Sequence, residues 1–308
     1  MVHLERATSG VVGPSSTDAF AGYRSATDRI VRRLIGSGSA ADTARALPRL
    51  VEDEPDVGSL MVASAGSPGD TLERLTGEIE RFRPTTRSNA QAPHEFARIL
   101  LLQHIDVLWW SGGMSFADEE AVRCSDALVS LADLRRRGRL RFRYKVAART
   151  LPARARAGLA RRWNPDRDPR SSGLSHDRAR PAMVALLEDV AVRFAEAAPG
   201  WDHGLWVNCI LRSEAAQQHL RELGYSAFPR SSHCAGYAAD LEMDWVARRG
   251  GAGALRSVLL GLRDVGVVNV IDEGQAWHVC LNPAWVAHYD RQFGAGAAVA
   301  EGDARCAG

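Results

Sequence analysis

The chain has 308 residues, of which 45% are hydrophobic and 25% charged, with a net charge of +2. That length is enough for one large domain or two ordinary ones, each with a sizeable core. The near-neutral balance excludes a strong electrostatic case for nucleic acid or an anionic membrane as the main partner.

The first half reads as helical. "TDAFAGYRSATDRIVRRLI" carries apolar residues at helical spacing through Ile35, with Thr17 or Asp18 as N-cap. "GDTLERLTGEIERF" repeats the pattern. "HEFARILLLQHIDVLWW" is apolar nearly all round, the mark of a buried helix; its Trp109–Trp110 pair reads as core or as the wall of a cleft. "FADEEAVRCSDALVSLADLRRRG" is amphipathic and stops at Gly138. The basic stretch from Arg135 to Trp163 reads as a solvated face or connector. "NPDRDPRSSGLSHDRARP", rich in Pro, Asp, Ser and Gly, reads as a linker. A helical region of unknown role is therefore expected over 1–170.

Beyond the linker, "PAMVALLEDVAVRFAEAAP" is an amphipathic helix, "GLWVNCIL" a strand, and "SEAAQQHLRELG" a short helix ending at Gly224. "AADLEMDW" is a strand and "GALRSVLLGLRDVG" a helix; "VVNVIDEG" and "AWHVCL" pair around a turn at Gly274. Helices flanking a small antiparallel sheet make an α+β domain, expected over 171–295, with a disordered tail over 296–308. The N-terminus has no signal-length apolar run and no stretch approaches a membrane span, so a cytoplasmic protein without membrane attachment is expected. The five cysteines form no CxxC pair and are expected as free thiols.

The most unusual segment is "SSHCAGYAAD", Ser231 to Asp240. A hydrolytic zinc site needs three protein ligands and one open position. His233 and Asp240 are suitable donors, but seven residues apart they are too distant for one helical face and of opposite parity on a straight strand. Gly236 can supply the bend that brings them together, and Ala235, Ala238 and Ala239 leave room for metal and substrate. His278, on a strand able to pair beside that of Asp240, is the third candidate.

Ser231, His233, Gly236, Ala238 and Asp240 match the SxHxxGxAxD signature of the zinc DD-peptidase family, which includes D-Ala-D-Ala carboxypeptidases and dipeptidases and has the hedgehog-like fold. "LWVNCILRSEAAQQHLRELGY" resembles that family's strand, Arg-Ser pair and helix, and Trp277–His278 its WH element. The resemblance covers Pro181 to Pro283. It implies a Zn²⁺ ion held by His233, Asp240 and His278, with Arg212 stabilising an oxyanion or gripping substrate and Ser231 supporting the site or touching substrate. The implied reaction is hydrolysis of a small peptide or amide by zinc-activated water.

The chain departs from the family at two points. The usual catalytic glutamate position, three before the last histidine, holds Gln275, which can orient substrate but takes no proton; Glu273, two residues earlier, is the candidate base. Cys209 stands where the family often has serine. Cys234 and Cys280 flank the ligands, yet a fourth thiolate ligand would close the site and stop hydrolysis. Two other readings keep the metal: a non-hydrolytic cyclisation or acyl transfer, and an inactive zinc-stabilised binding module. Glu242 and Asp244 read as polar-face residues or as acceptors behind the ligands.

Overall fold

A computed structural model of the chain describes residues 15–306, apart from 64–67, 86–87, 111, 149, 165 and 224–230. Five helices come first: α1 Ser15–Leu34, α2 Ala40–Glu52, α3 Pro55–Ala63, α4 Pro68–Arg81 and α5 Pro93–Trp110. Short elements follow: α6 Glu119–Cys124, β1 Val129–Ser130, α7 Leu131–Arg136, β2 Arg143–Tyr144, α8 Leu151–Trp163 and β3 Arg178–Ala179. Then come α9 Pro181–Ala197, β4 Trp206–Cys209, α10 Glu214–Glu222, α11 Ser232–Ala235, β5 Ala238–Glu242 and α12 Asp244–Ala247. The chain closes with α13 Ala252–Asp264, β6 Val268–Asp272, β7 Ala276–Leu281 and α14 Val286–Cys306. Gly224, expected to end a helix, lies outside the described residues.

The fold is α+β. The main sheet has the order β2-β4-β5-β7-β6; all its pairs are antiparallel except β2 on β4, which is parallel. Strand alternation gives the sheet two different faces. Leu241, Trp277, Val279, Val268 and Val270 join one buried cluster with α9 and α13. Asp240, His278 and Asn269 sit at the alternate positions, on the opposite face, where α5 packs on β6 and α11 on β5.

The core divides earlier than expected. One cluster holds Tyr23 through Ile105 of the first five helices, joined by Ile271. The other begins at Leu131 and includes Phe142, Tyr144 and Leu174. Residues expected to end the helical region thus belong to the sheet's own body, and β2 supplies its edge strand. The expected linker is also fixed: Leu174 bridges Val146, and a Cβ on Gly173 would meet the Lys145 carbonyl oxygen at 2.6 Å. Polar, Gly-rich composition here accompanies tight turns held in place by these contacts. The tail expected to be disordered over 296–308 continues α14 to Cys306; its run of alanines is rich in the best helix former.

The basic stretch forms α7, β2 and α8. Leu159 and Trp163 of α8 are 59% and 82% exposed, so this helix adds little to the core. Leu187→Ala in buried α9 should destabilise the protein by about 2–5 kcal/mol, whereas Leu159→Ala should shift it by no more than about 0.5 kcal/mol. Chemical denaturation of the two variants checks the contrast.

Candidate metal centre

The motif folds as one helical turn followed by a strand. Ser231 caps α11, its Oγ accepting the His233 backbone N–H at 3.3 Å. Gly236 ends the turn in the left-handed region, at φ 78°, where a side chain would be strained. A Cβ there would also sit 3.2 Å from Arg180 and Leu211. The chain then enters β5, and the bend points His233 and Asp240 at each other. Ala239 is fully buried in the apolar core on the far face, whereas Ala238, equally buried, shares the face of Asp240, and Ala235 lines the cleft beside α11.

Three donor atoms converge. His233 Nε2 lies 3.0 Å from Asp240 Oδ1, His278 Nδ1 lies 3.1 Å from the same oxygen, and the two nitrogens are 3.2 Å apart. Bonds of about 2.0–2.2 Å at tetrahedral angles place ligand atoms about 3.3–3.6 Å apart, so this triangle is slightly tighter than a tetrahedral ion requires and would open by a few tenths of an ångström to take one. Cys209, His233 and Asp240 form an overlapping group, with ligand atoms all within 4.8 Å of one another, that can also hold a metal ion.

The groups behind the donors fix which atoms face inward. His233 Nδ1 is 3.3 Å from the Ile210 carbonyl oxygen. In the neutral imidazole that nitrogen carries the hydrogen, and the Nε2 lone pair faces Asp240 and His278. His278 Nε2 donates to Asp106 Oδ2 at 2.8 Å, which turns Nδ1 inward. Ligand imidazoles are commonly held by such carbonyl and carboxylate partners. Asp240 divides its oxygens, Oδ1 to the imidazoles and Oδ2 to Arg212 Nη2 at 3.0 Å.

Asp106 was not anticipated. It sits on α5, 3% exposed. Its Oδ1 accepts Asn269 Nδ2 at 2.9 Å, and Ser232 Oγ donates to Oδ2 at 3.4 Å. One turn away on α5, Gln103 Nε2 donates to Glu273 Oε1 at 3.2 Å, and Asn89 Nδ2 donates to Oε2 at 2.6 Å. Residues three apart share a helix face, so one face of α5 holds both His278 and the candidate base. Its signal in the sequence was polar residues inside a helix that is otherwise apolar all round, because a buried polar group needs a partner.

Gly274 takes φ 76° just after β6, and the Glu273 N–H closes the turn on the Ala276 carbonyl at 3.1 Å. Glu273 is buried, 6% exposed, whereas Gln275 is exposed and lines an outer surface cleft with Asp244. Glu242 accepts Asn208 Nδ2 and the Trp245 N–H, at 2.8 and 2.9 Å, while Asp244 pairs with Arg248 at the surface. Ser231, Trp110, Ser115, Glu214 and Asp106 line a cleft of about 280 Å³ beside α11. Trp110 stacks on Tyr237 with ring centres 3.8 Å apart.

Electrostatics favour positive charge at the centre. Burial lowers an imidazole pKa, but Asp240 and Cys209 hold His233 up at about 9. Burial acts on His278 in the same way, yet its hydrogen bonds to Asp106 and Asp240 hold it well above its usual range. Burial would raise Asp240, but the two imidazoles and Arg212 keep its carboxyl well below the ordinary range. Burial is the largest influence on Glu273 and raises it.

A scan against protein-family models and searches of curated proteins and of solved structures find no match to this chain. No helix among the described residues is long and apolar enough to cross a membrane.

Removing the charge of Asp106 should loosen the centre without unfolding it. Asp106→Asn should weaken metal affinity about 10–100-fold, read by competition with a chromogenic chelator, with an unchanged far-ultraviolet circular dichroism spectrum.

Proposed function

We propose that this protein is a zinc-dependent hydrolase of a small peptide or amide, akin to the zinc DD-peptidases. The observation that carries the reading is the triangle of His233, Asp240 and His278, each backed by a group that fixes its orientation, with a buried carboxylate nearby. Two imidazoles and one carboxylate are a donor set that suits zinc and leave a fourth position open.

When bound, zinc supplies a Lewis acid that polarises the scissile carbonyl and acidifies water. The chain's own groups do the rest. Glu273 accepts the proton of the attacking water and returns it to the leaving amine. Asn89 and Gln103 present N–H donors to its two oxygens, which holds the carboxylate aimed and favours its ionised form against the cost of burial. Arg212 stands at the rim, its side chain 22% exposed. It steadies Asp240 and offers positive charge to a developing oxyanion. The cleft walled by Trp110, Ser115, Glu214 and Ser231 adjoins the centre through Asp106 and Ser232, which stand behind His278 and do not themselves face the metal.

Glu273→Gln should keep one zinc per chain and lose about 10²–10⁴-fold in turnover, while Gln275→Ala stays near wild type. Metal analysis and hydrolysis of a panel of D- and L-dipeptides read both. The reverse ranking of the two variants overturns the assignment of the base.

His233→Ala should abolish stoichiometric zinc. Retention of full metal content would overturn the ligand set.

A further inference from the structure

The sheet places a fourth donor in line with the others. Asp240 on β5 has His278 as its cross-strand partner on β7 and Cys209 as its partner on β4. Directly opposed residues hold their Cβ atoms about 4.5–5.5 Å apart, so Cys209, Asp240 and His278 form one row beneath His233. Parity alone would not put Cys209 there. Val207 belongs to the apolar core on the far face, and a residue two further along a regular strand faces the same way. The register shifts between Val207 and Cys209. This irregularity turns Cys209 from the core face to the site face, a common use of a bulge beside a functional centre. The thiol is half-buried, with Sγ 3.7 Å from His233 Nδ1, and belongs to the group whose ligand atoms all lie within 4.8 Å.

Granted the metal centre proposed above, we propose that Cys209 is its fourth protein ligand in the substrate-free protein, closing the coordination shell until water or substrate displaces the thiolate. A zinc–sulfur bond of about 2.3 Å beside zinc–nitrogen bonds of about 2.0–2.1 Å sets the sulfur about 3.6 Å from its neighbours. Sγ now lies at the Nδ1 edge of His233, and a χ1 rotation toward the Nε2 edge, where Asp240 and His278 converge, is the movement that would bring it there. The fourth position is then a gated one. The centre would rest as a two-histidine, carboxylate and thiolate tetrad, and would become reactive when a water takes the fourth position and gives one proton to the departing thiolate, leaving a hydroxide and a neutral thiol.

Cobalt(II) reports both halves of this assignment, because tetrahedral cobalt absorbs in the visible and a thiolate ligand adds a charge-transfer band in the near ultraviolet. Full-length protein loaded with one cobalt should show both. Cys209→Ser and Cys209→Ala should keep the cobalt and the visible bands and lose the near-ultraviolet band. A wild-type spectrum with visible bands alone, or a charge-transfer band that survives both substitutions, overturns the thiolate ligand. Failure of the wild type to take up cobalt overturns the metal centre itself. Should both variants misfold, the wild type still decides the matter: zinc should protect Cys209 from iodoacetamide, mapped by peptide mass spectrometry, and equal labelling with and without zinc overturns the proposal.

Discussion

The constraint that organises the site is the contact between Asp106 and His278. A carboxylate 3% exposed, in the middle of an apolar helix, is costly unless every lone pair is used. The chain uses them with His278 from β7, Asn269 from β6 and Ser232 from α11. Three elements must therefore be in place before α5 can bury its polar face. The same bond chooses the tautomer of His278 and so the atom it presents to Asp240 and His233. Fold and chemistry meet in one hydrogen bond.

This arrangement changes the meaning of the helical first half. Taken alone, α1 to α5 form an ordinary bundle around Tyr23, Ile30, Leu47 and Leu101. Their contribution to the site is a single face of α5, which reaches His278 through Asp106 and Glu273 through Gln103, with Asn89 entering from the loop before the helix. The sheet contributes donors, and the bundle decides where those donors point.

Much of the donor set was legible because it is local. His233, Gly236 and Asp240 lie within one turn and one strand, and their types and order already require a bend that only glycine tolerates well. The β6–β7 hairpin was legible from two apolar runs around Gly274. What stayed hidden is long-range. Nothing in the spacing of Gln103 and Asp106 says which strand they meet. The edge strand β2 is two residues long, too short to carry an alternation. The proline- and glycine-rich run near 170 has the composition of a linker but the contacts of a buried turn, and an alanine-rich tail without apolar periodicity reads as disorder although it favours helix.

The distance along the chain between Asp106 and His278 is 172 residues. A ribosome adding about 5–20 residues per second needs roughly 10–35 s to cover it. For that interval the nascent bundle holds a carboxylate whose partners do not yet exist, so α5 cannot settle on its final face until the last hairpin has been made. Until then the face of α5 that carries Gln103 and Asp106 lacks the strand and turn residues that later pair with it.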